Sequence, residues 1–398
     1  MTGPGRSDRI LFLLLPPVLR QWSHSIALTW LPACETGPCE SSWPRRNPKL
    51  VPTVGIIANP VSARDIRRVI ANATSLQITD RANIVLRVLA CLKACGVGQV
   101  VMMPENGGIR QHVRRGVERS RNLGEHEFPE LCYLDMTVSG TVDDTVRAAD
   151  LMRQRNVDAI VVLGGDGTHR AVVSRSGDVP IAGISTGTNN AFPEHREPTI
   201  TGLAVGLAVT KQVPALVAFA PNKKLIVRIN DNAAEIALVD VALVTDRVVG
   251  ARALWKPETF RELFVTFADP EVIGMSAIAG LLEPVKRSEP GGLHVLLAPV
   301  EEALLTLNAP IAPGYMRPIG VAGWQRLVAG KSYGPQIAAG SVALDGEREL
   351  SFSERDRVKI ALEEDAFRTV NVAAVMDYAA RYELMRQAGL IKKKRQVS

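Results

Sequence analysis

The segment Val161-Val162-Leu163-Gly164-Gly165-Asp166-Gly167-Thr168 decides how this chain reads. It ends a short Val- and Ile-rich run, 157–163, of the kind required of a parallel strand buried on both faces. A glycine-rich turn follows at once, and then a helical stretch from about 168 to 173. Glycines lack a Cβ, so their backbone N–H groups can approach an anion closely. The N-terminus of the next helix adds partial positive charge. Asp166 sits among those donors, where an acid repels phosphate unless it binds a metal or takes a proton. A plain tight turn between strand and helix needs no such combination.

Outward from this segment the pattern is strand, helix, strand. Apolar runs at 53–59, 99–103, 131–136, 157–163 and 179–185 read as buried strands. A helix over 80–95 stops at Gly96, and another opens at Thr141 with Asp144 three residues on, a capping-box spacing. The succession predicts a doubly wound parallel sheet whose strands deliver their C-terminal loops to one edge. Two more junctions then join Asp166. In Ser185-Thr186-Gly187-Thr188-Asn189-Asn190, hydroxyls and amides suit ribose and phosphate oxygens, or equally cap the next helix. In Ala58-Asn59-Pro60-Val61-Ser62, Asn59 and Ser62 can meet a nucleotide, or simply form an Asn-Pro turn.

After about residue 213 strands follow strands: 225–230, 235–245, 294–298, 341–344, 349–352 and 358–362, with Asp345-Gly346 as a turn. Segments 257–263 and 373–387 read as helical. The expected fold class is α/β plus β, a doubly wound parallel-sheet domain followed by a mainly antiparallel β-sandwich domain. The expected domains are an α/β nucleotide-binding domain at 51–212, a β-rich domain at 213–375, and a C-terminal helix with a basic tail at 376–398. Residues 1–50 hold three of the five Trp and seven of the 25 Pro without any amphipathic period, and are expected to be a disordered or mis-called extension.

The net charge of +6 is unevenly placed. Residues 1–50 carry +3 and Lys392-Lys393-Lys394-Arg395 carry +4, so 51–391 is close to neutral, at −1. That leaves no footprint for duplex binding, and 5% aromatic residues offer little for base stacking. No nucleic-acid partner and no membrane partner are expected. The apolar run 10–15 behind Arg6 and Arg9 is broken by Pro16-Pro17, and no run approaches the ~18 residues a span needs. The five cysteines form no metal-binding spacing and read as small apolar residues in a reducing cytoplasm.

The three junctions resemble the superfamily that joins NAD kinases with diacylglycerol and sphingosine kinases, whose hallmark is the Gly-Gly-Asp-Gly-Thr run. Gly274-Met275-Ser276-Ala277-Ile278-Ala279-Gly280 resembles a decayed form of the NAD-kinase glycine/serine/alanine segment, and Asp345-Gly346 its late hairpin. Within the ATP-NAD kinase family the resemblance is to the acetoin-catabolism X protein group, through 164–170, 180–193 and 240–255. It covers roughly 53–375 and implies an NAD kinase-like fold with the active site between two domains. It implies ATP and Mg²⁺, with Asp166 as the catalytic carboxylate. Asn59, Gly164, Gly165, Gly167, Thr168, Thr186, Gly187, Thr188, Asn189 and Asn190 would bind phosphate and nucleotide, and Asp240 and Ser276 the substrate. No metal ligands are assigned. The implied reaction is ATP-dependent phosphorylation of a small-molecule hydroxyl, formally the 2′-OH of NAD in NADP biosynthesis. The alternatives are another alcohol, such as an acetoin-derived metabolite, or a nucleotide-binding regulator without catalysis. A homo-oligomer is expected. Two departures stand out. Where NAD kinases have Asn before the acid of their adenine- and ribose-reading pair, this chain has Val239 before Asp240. His169 replaces a usually apolar residue and is expected either to pair with phosphate or Asp166, or to lie on a plain helix face.

Overall fold

Every residue of β1 (Thr53–Ala58, TVGIIA) is buried, which places the strand inside a sheet covered on both faces. The computed structural model describes residues 51–60, 76–187, 190–246 and 256–386, with the side chains of Arg348 and Glu349 left out. On one side β1 pairs in parallel with β2 (Gln99–Met102), and β2 with β3 (Glu130–Tyr133). On the other it pairs in parallel with β4 (Ala159–Gly164), and β4 with β5 (Ile181–Ser185). The order β3-β2-β1-β4-β5 reverses direction between β1 and β4, so a crevice opens beyond the carboxyl ends of those two strands.

Helices cover both faces. Against one lie α1 (Ile78–Ala94), α2 (Ile109–Leu123) and α5 (Pro198–Val209), in a core that includes Val85, Leu89, Val113, Ala204 and Leu207. Against the other lie α3 (Val142–Gln154) and α4 (Asp166–Ser176), through Ala148, Met152, Val172 and Val173. Gly96, at φ 89, ends α1 as its position requires. Thr141 caps α3 by accepting from the Asp143 N–H, but Asp144 reaches further back, to the N–H groups of Ser139 and Gly140.

The second half does not start a separate sheet. After the single turn α6 (Ala215–Ala218), β6 (Phe219–Ile229) pairs antiparallel with β16 (Val358–Val370) along most of its length. β16 in turn pairs in parallel with β5, at Thr369 and Ile181. With β7 (Glu235–Ala237) and β13 (Ser332–Tyr333), these strands extend the first sheet to nine. A second sheet of seven antiparallel strands runs β11 (Leu305–Ala312), β12 (Tyr315–Leu327), β10 (Gly292–Ala298), β9 (Phe260–Val265), β8 (Asp240–Val244), β14 (Gly340–Leu344), β15 (Glu347–Phe352). Leu225, Val227 and Ile360 of the first sheet meet Val241, Phe264 and Leu344 of the second in one buried layer, the β-sandwich expected. The sandwich's outer face packs α7 (Met275–Leu282), and α8 (Val372–Arg381) returns to the first core through Val372, Val375 and Ala379.

Two expectations are corrected. Segment 257–263 is not helical: a 3-10 turn at Pro257–Thr259 leads straight into β9, whose buried residues need a strand on each side. Segment 235–245 is not one strand: it crosses from β7 in the first sheet to β8 in the second, with Leu238 and Val239 at the crossing. Residues 1–50, Ser62, 247–255 and the tail 392–395 lie outside the described residues. Among the described residues, no helix is long and apolar enough to cross a membrane.

Candidate active site

Parallel register brings the three junctions together. Ala58 stands opposite Leu163 and Gly164 opposite Ser185. The Asn59 N–H donates to the Leu163 carbonyl at 3.2 Å, and the Thr186 N–H to the Gly164 carbonyl at 3.2 Å. Side chains then tie the loops. Asn59 Nδ2 donates to Thr168 Oγ1 at 3.3 Å, and buried Arg81 donates to the Asn59 carbonyl at 2.6 Å. Asn190 Nδ2 donates to Ser185 Oγ at 2.8 Å. Its Oδ1 would lie 2.8 Å from a Cβ on Gly165 and 2.5 Å from one on Gly187, so a side chain at either position would displace the Asn190 amide.

Gly167 differs. A Cβ there would meet nothing within 4 Å, and its φ is not left-handed. Neither packing nor backbone demands a glycine; the residue faces open space at the first turn of α4. A phosphate needs that clearance to reach backbone N–H groups at a helix N-terminus. The residues present therefore fit the phosphates of ATP. Among the described residues no cluster of three or more His, Cys, Asp or Glu could cage a cation. Mg²⁺ needs none, since it binds mainly through phosphate oxygens and water.

Asp166 is buried at the floor of this crevice. One carboxylate oxygen accepts from the Ala191 N–H and the other from the Phe192 N–H, both at 2.9 Å. Burial, helped by the nearby charge of Asp345, pushes its carboxyl up to about 7 against the pull of those N–H groups and of Arg287. Each oxygen keeps a further lone pair with which to take a proton.

The second half closes the site from the other side. Asp345, in the β14–β15 turn at φ 51, accepts from the N–H groups of Leu238 at 3.0 Å, Val239 at 2.8 Å and Asp240 at 3.3 Å. Burial raises its carboxyl as well, opposed first by Arg170 of α4, whose Nε lies 3.8 Å away. Arg287 donates to the Ala191 carbonyl at 2.6 Å, its guanidinium 4.1 Å from the Phe267 ring centroid and 5.2 Å from that of Phe192.

Of the residues singled out in the sequence, Asn59, Gly164, Gly165, Asp166, Gly167, Thr168, Thr186, Gly187 and Asn190 gather at this edge. Thr188 and Asn189 lie outside the described residues. Asp240 is buried beside Asp345, its carbonyl accepting from the Asp345 N–H at 2.9 Å. Ser276 is fully buried in α7, and no hydrogen bond among the described residues links it to Asp166. Val239 is not exposed to a ligand; its side chain packs in the core with Phe192, Phe267 and Phe367. His169 pairs with neither phosphate nor Asp166. It is fully buried, its Nδ1 bonded to the Gly165 carbonyl at 2.8 Å, and burial pushes it down to about 4, so it is neutral. Three residues escaped sequence reasoning: Arg170, Arg287, and Asp345 as more than a turn. The Asp345-Gly346 pair was the only signal among them, since the reach of all three is tertiary.

Residues 54–208 match the family model of the ATP-NAD kinase N-terminal domain, and residues 223–365 that of the acetoin catabolism protein X C-terminal domain. Acetoin catabolism protein X of Cupriavidus necator is 55% identical over 342 residues, covering 85% of this chain and 95% of that protein. Among solved structures, yeast NADH kinase complexed with NADH aligns at 14% identity and a TM-score of 0.43, over 86% of this chain and 90% of that one. A putative diacylglycerol kinase from Bacillus anthracis str. Sterne aligns at 14% identity and a TM-score of 0.44, over 81% and 98%.

Proposed function

Because this chain belongs to the acetoin catabolism protein X family, and carries an ATP-NAD kinase N-terminal domain within it, we propose that it transfers the γ-phosphoryl group of ATP to a small-molecule hydroxyl. One observation carries the reading. Asp166, a carboxylate whose proton affinity is set near neutrality, stands at the entrance of a helix whose Gly167 leaves room for phosphate. The N–H groups at the start of the helix, those of Asp166 and Gly167, hold phosphate oxygens, while the Thr168 N–H already donates to the Gly165 carbonyl at 3.1 Å. Asp166 takes the acceptor's proton as the hydroxyl oxygen bonds to the γ-phosphorus and the bond to the β-bridging oxygen breaks, releasing ADP. Mg²⁺, held by the phosphates, offsets their charge when bound. Since phosphoryl transfer is mainly positioning and charge stabilisation, few side chains are needed.

The acceptor we propose is a small alcohol of the acetoin type rather than NAD. An adenine-reading pair wants a side-chain amide at residue 239, and Val239 offers an apolar group turned into the core. NAD 2′-phosphorylation is the second reading, favoured by the carboxylate retained at Asp240. We place the reaction in the cytoplasm. The test is transfer of label from γ-labelled ATP with Mg²⁺ to acetoin, simple diols or NAD, with products identified by mass. Labelled diol or hydroxyketone supports the proposal. Label on NAD alone reassigns the acceptor. ATP binding with no transfer to any acceptor replaces the kinase by a nucleotide-binding regulator.

A further inference from the structure

The loop between α7 and β10 carries a cation into the site from the second half, and it is anchored from beneath. Lys223 of β6, 7% exposed, donates from Nζ to the carbonyls of Glu289 at 2.7 Å, Gly291 at 2.7 Å and Lys286 at 3.4 Å. An ammonium has three N–H donors, and all three go to this one loop. Glu364 of β16 accepts from the Gly291 N–H at 2.6 Å. Segment 286–291 is thus pinned to two strands of the first sheet. Arg287 lies inside the pinned segment. Its guanidinium stacks against Phe267 and Phe192 and donates to the Ala191 carbonyl. That peptide group and the one before it bind Asp166 directly: the Phe192 N–H belongs to the same peptide group as the Ala191 carbonyl, the Ala191 N–H to the preceding one, and these are the two donors to Asp166.

We infer that Arg287, anchored through Lys223, is a positioning residue of the reaction: it fixes loop 190–192 around Asp166 and keeps a positive charge beside that carboxylate. The inference rests on Asp166 being the base. A planar guanidinium can stack on two rings while donating in its plane, which a lysine ammonium cannot do. The charged neighbours are few. Asp345 and Arg287 act on Asp166 from the second half, while His169 on its own helix is neutral. Arg287 itself feels Glu194, Asp166 and Asp269 as opposite charges and Arg196 as a like charge. Around Lys223 stand Glu364, Glu289 and Arg326. Removing the Arg287 cation makes the Asp166 carboxylate harder to ionise.

The test compares Arg287→Met, Arg287→Lys and Lys223→Met with the wild-type full chain, in three measurements. They are the Asp166 titration by its carboxyl carbon shift, the pH profile of kcat/KM, and hydrogen exchange at the Ala191 and Phe192 amides. Arg287→Met is expected to move the titration and the acid limb upward, by less than about one pH unit, since Arg287 is the smallest of the influences on that carboxyl. It should also speed exchange at both amides at least about tenfold as the loop loosens. Arg287→Lys should restore the titration but not the slow exchange. Lys223→Met should speed exchange at the same amides through the loosened loop. An Asp166 titration unmoved in Arg287→Met, with only a lower melting temperature, would overturn the inference and leave Arg287 a structural tie. A wild type that transfers phosphate to no acceptor defeats the kinase reading alone, because the carbon titration and the exchange still report on Arg287.

Discussion

Asp166 and its neighbours divide the site's work residue by residue. Gly167 faces open space, so Gly167→Ala should fold normally, its melting temperature within about 2 °C of wild type, roughly the shift for 1 kcal/mol in a chain this large. Its ATP affinity by calorimetry should nevertheless fall about tenfold, because the added methyl occupies the phosphate's approach, and unchanged affinity would remove Gly167 from the phosphate site. Gly183→Ala is the opposite case. A Cβ there stands 2.8 Å from His169 Nε2 and 3.2 Å from Pro193 Cβ, overpacking that costs about 1–3 kcal/mol. It should lower the melting temperature and leave ATP affinity near normal if the fold persists. The pH dependence follows from Asp166. Its folded carboxyl titrates near 7 instead of 3.8, so the base form appears only as pH rises through about 7, and kcat/KM should climb there. Stability carries the other sign. The folded state holds this proton more tightly than the unfolded state, so the contribution is full below about 4 and is lost as pH rises through about 7. At this scale the glycine-rich loop at the sheet's edge was legible in sequence, since glycine, Asp and Asn at strand ends declare themselves. His169 was not. Its ring fills the space that Gly183 leaves, and the two residues are joined only by folding.

Among the elements, the β14–β15 hairpin does more than turn the chain. Asp345 holds the three N–H groups of the crossing between the two sheets, and it does so from a left-handed backbone that Asp and Asn tolerate. Asp345→Ala strands three buried donors and should cost at least about 3 kcal/mol, a fall of about 6 °C or more in melting temperature. Asp345→Asn keeps an acceptor and the backbone preference, so its loss should be smaller; equal losses would mean the carboxylate oxygens are not what the crossing needs. The turn itself was readable from Asp-Gly, but its three distant donors were not. Strands β11 and β12 escaped for another reason. Pro310 and Pro318 interrupt their alternation, and proline argues against a strand except near an edge, which is where β11 lies. Segment 257–263 misled because the 3-10 turn at its start has a helix's opening chemistry, whereas the register with β8 and β10 decides the rest.

For the whole molecule, the two halves share one sheet. β5 is covered at its edge by β16, and α8 returns from the end of the described chain to pack Val375 against the first core. The alternating strand–helix order foretold the parallel half, but not that a strand some 180 residues later would join it, because pairing across such a separation leaves no local pattern. A fragment 51–212 would therefore expose a strand edge and the apolar surface that α8 covers. It should aggregate or melt without a cooperative transition, while calorimetry of the full chain gives a single one; two well-separated transitions would show that the halves fold independently. The proposed catalysis, too, would belong to the assembled molecule, since the charges of Asp345 and Arg287 act on Asp166 from the second half. The most direct test is single-turnover transfer of the labelled γ-phosphoryl group by wild type and Asp166→Asn, alongside ATP affinity by calorimetry. Asp166→Asn is expected still to bind ATP within a few-fold of wild type while transfer falls by at least about 10²-fold, the scale of a lost general base. Transfer by Asp166→Asn within about threefold of wild type, less than 1 kcal/mol in barrier, would contradict that role.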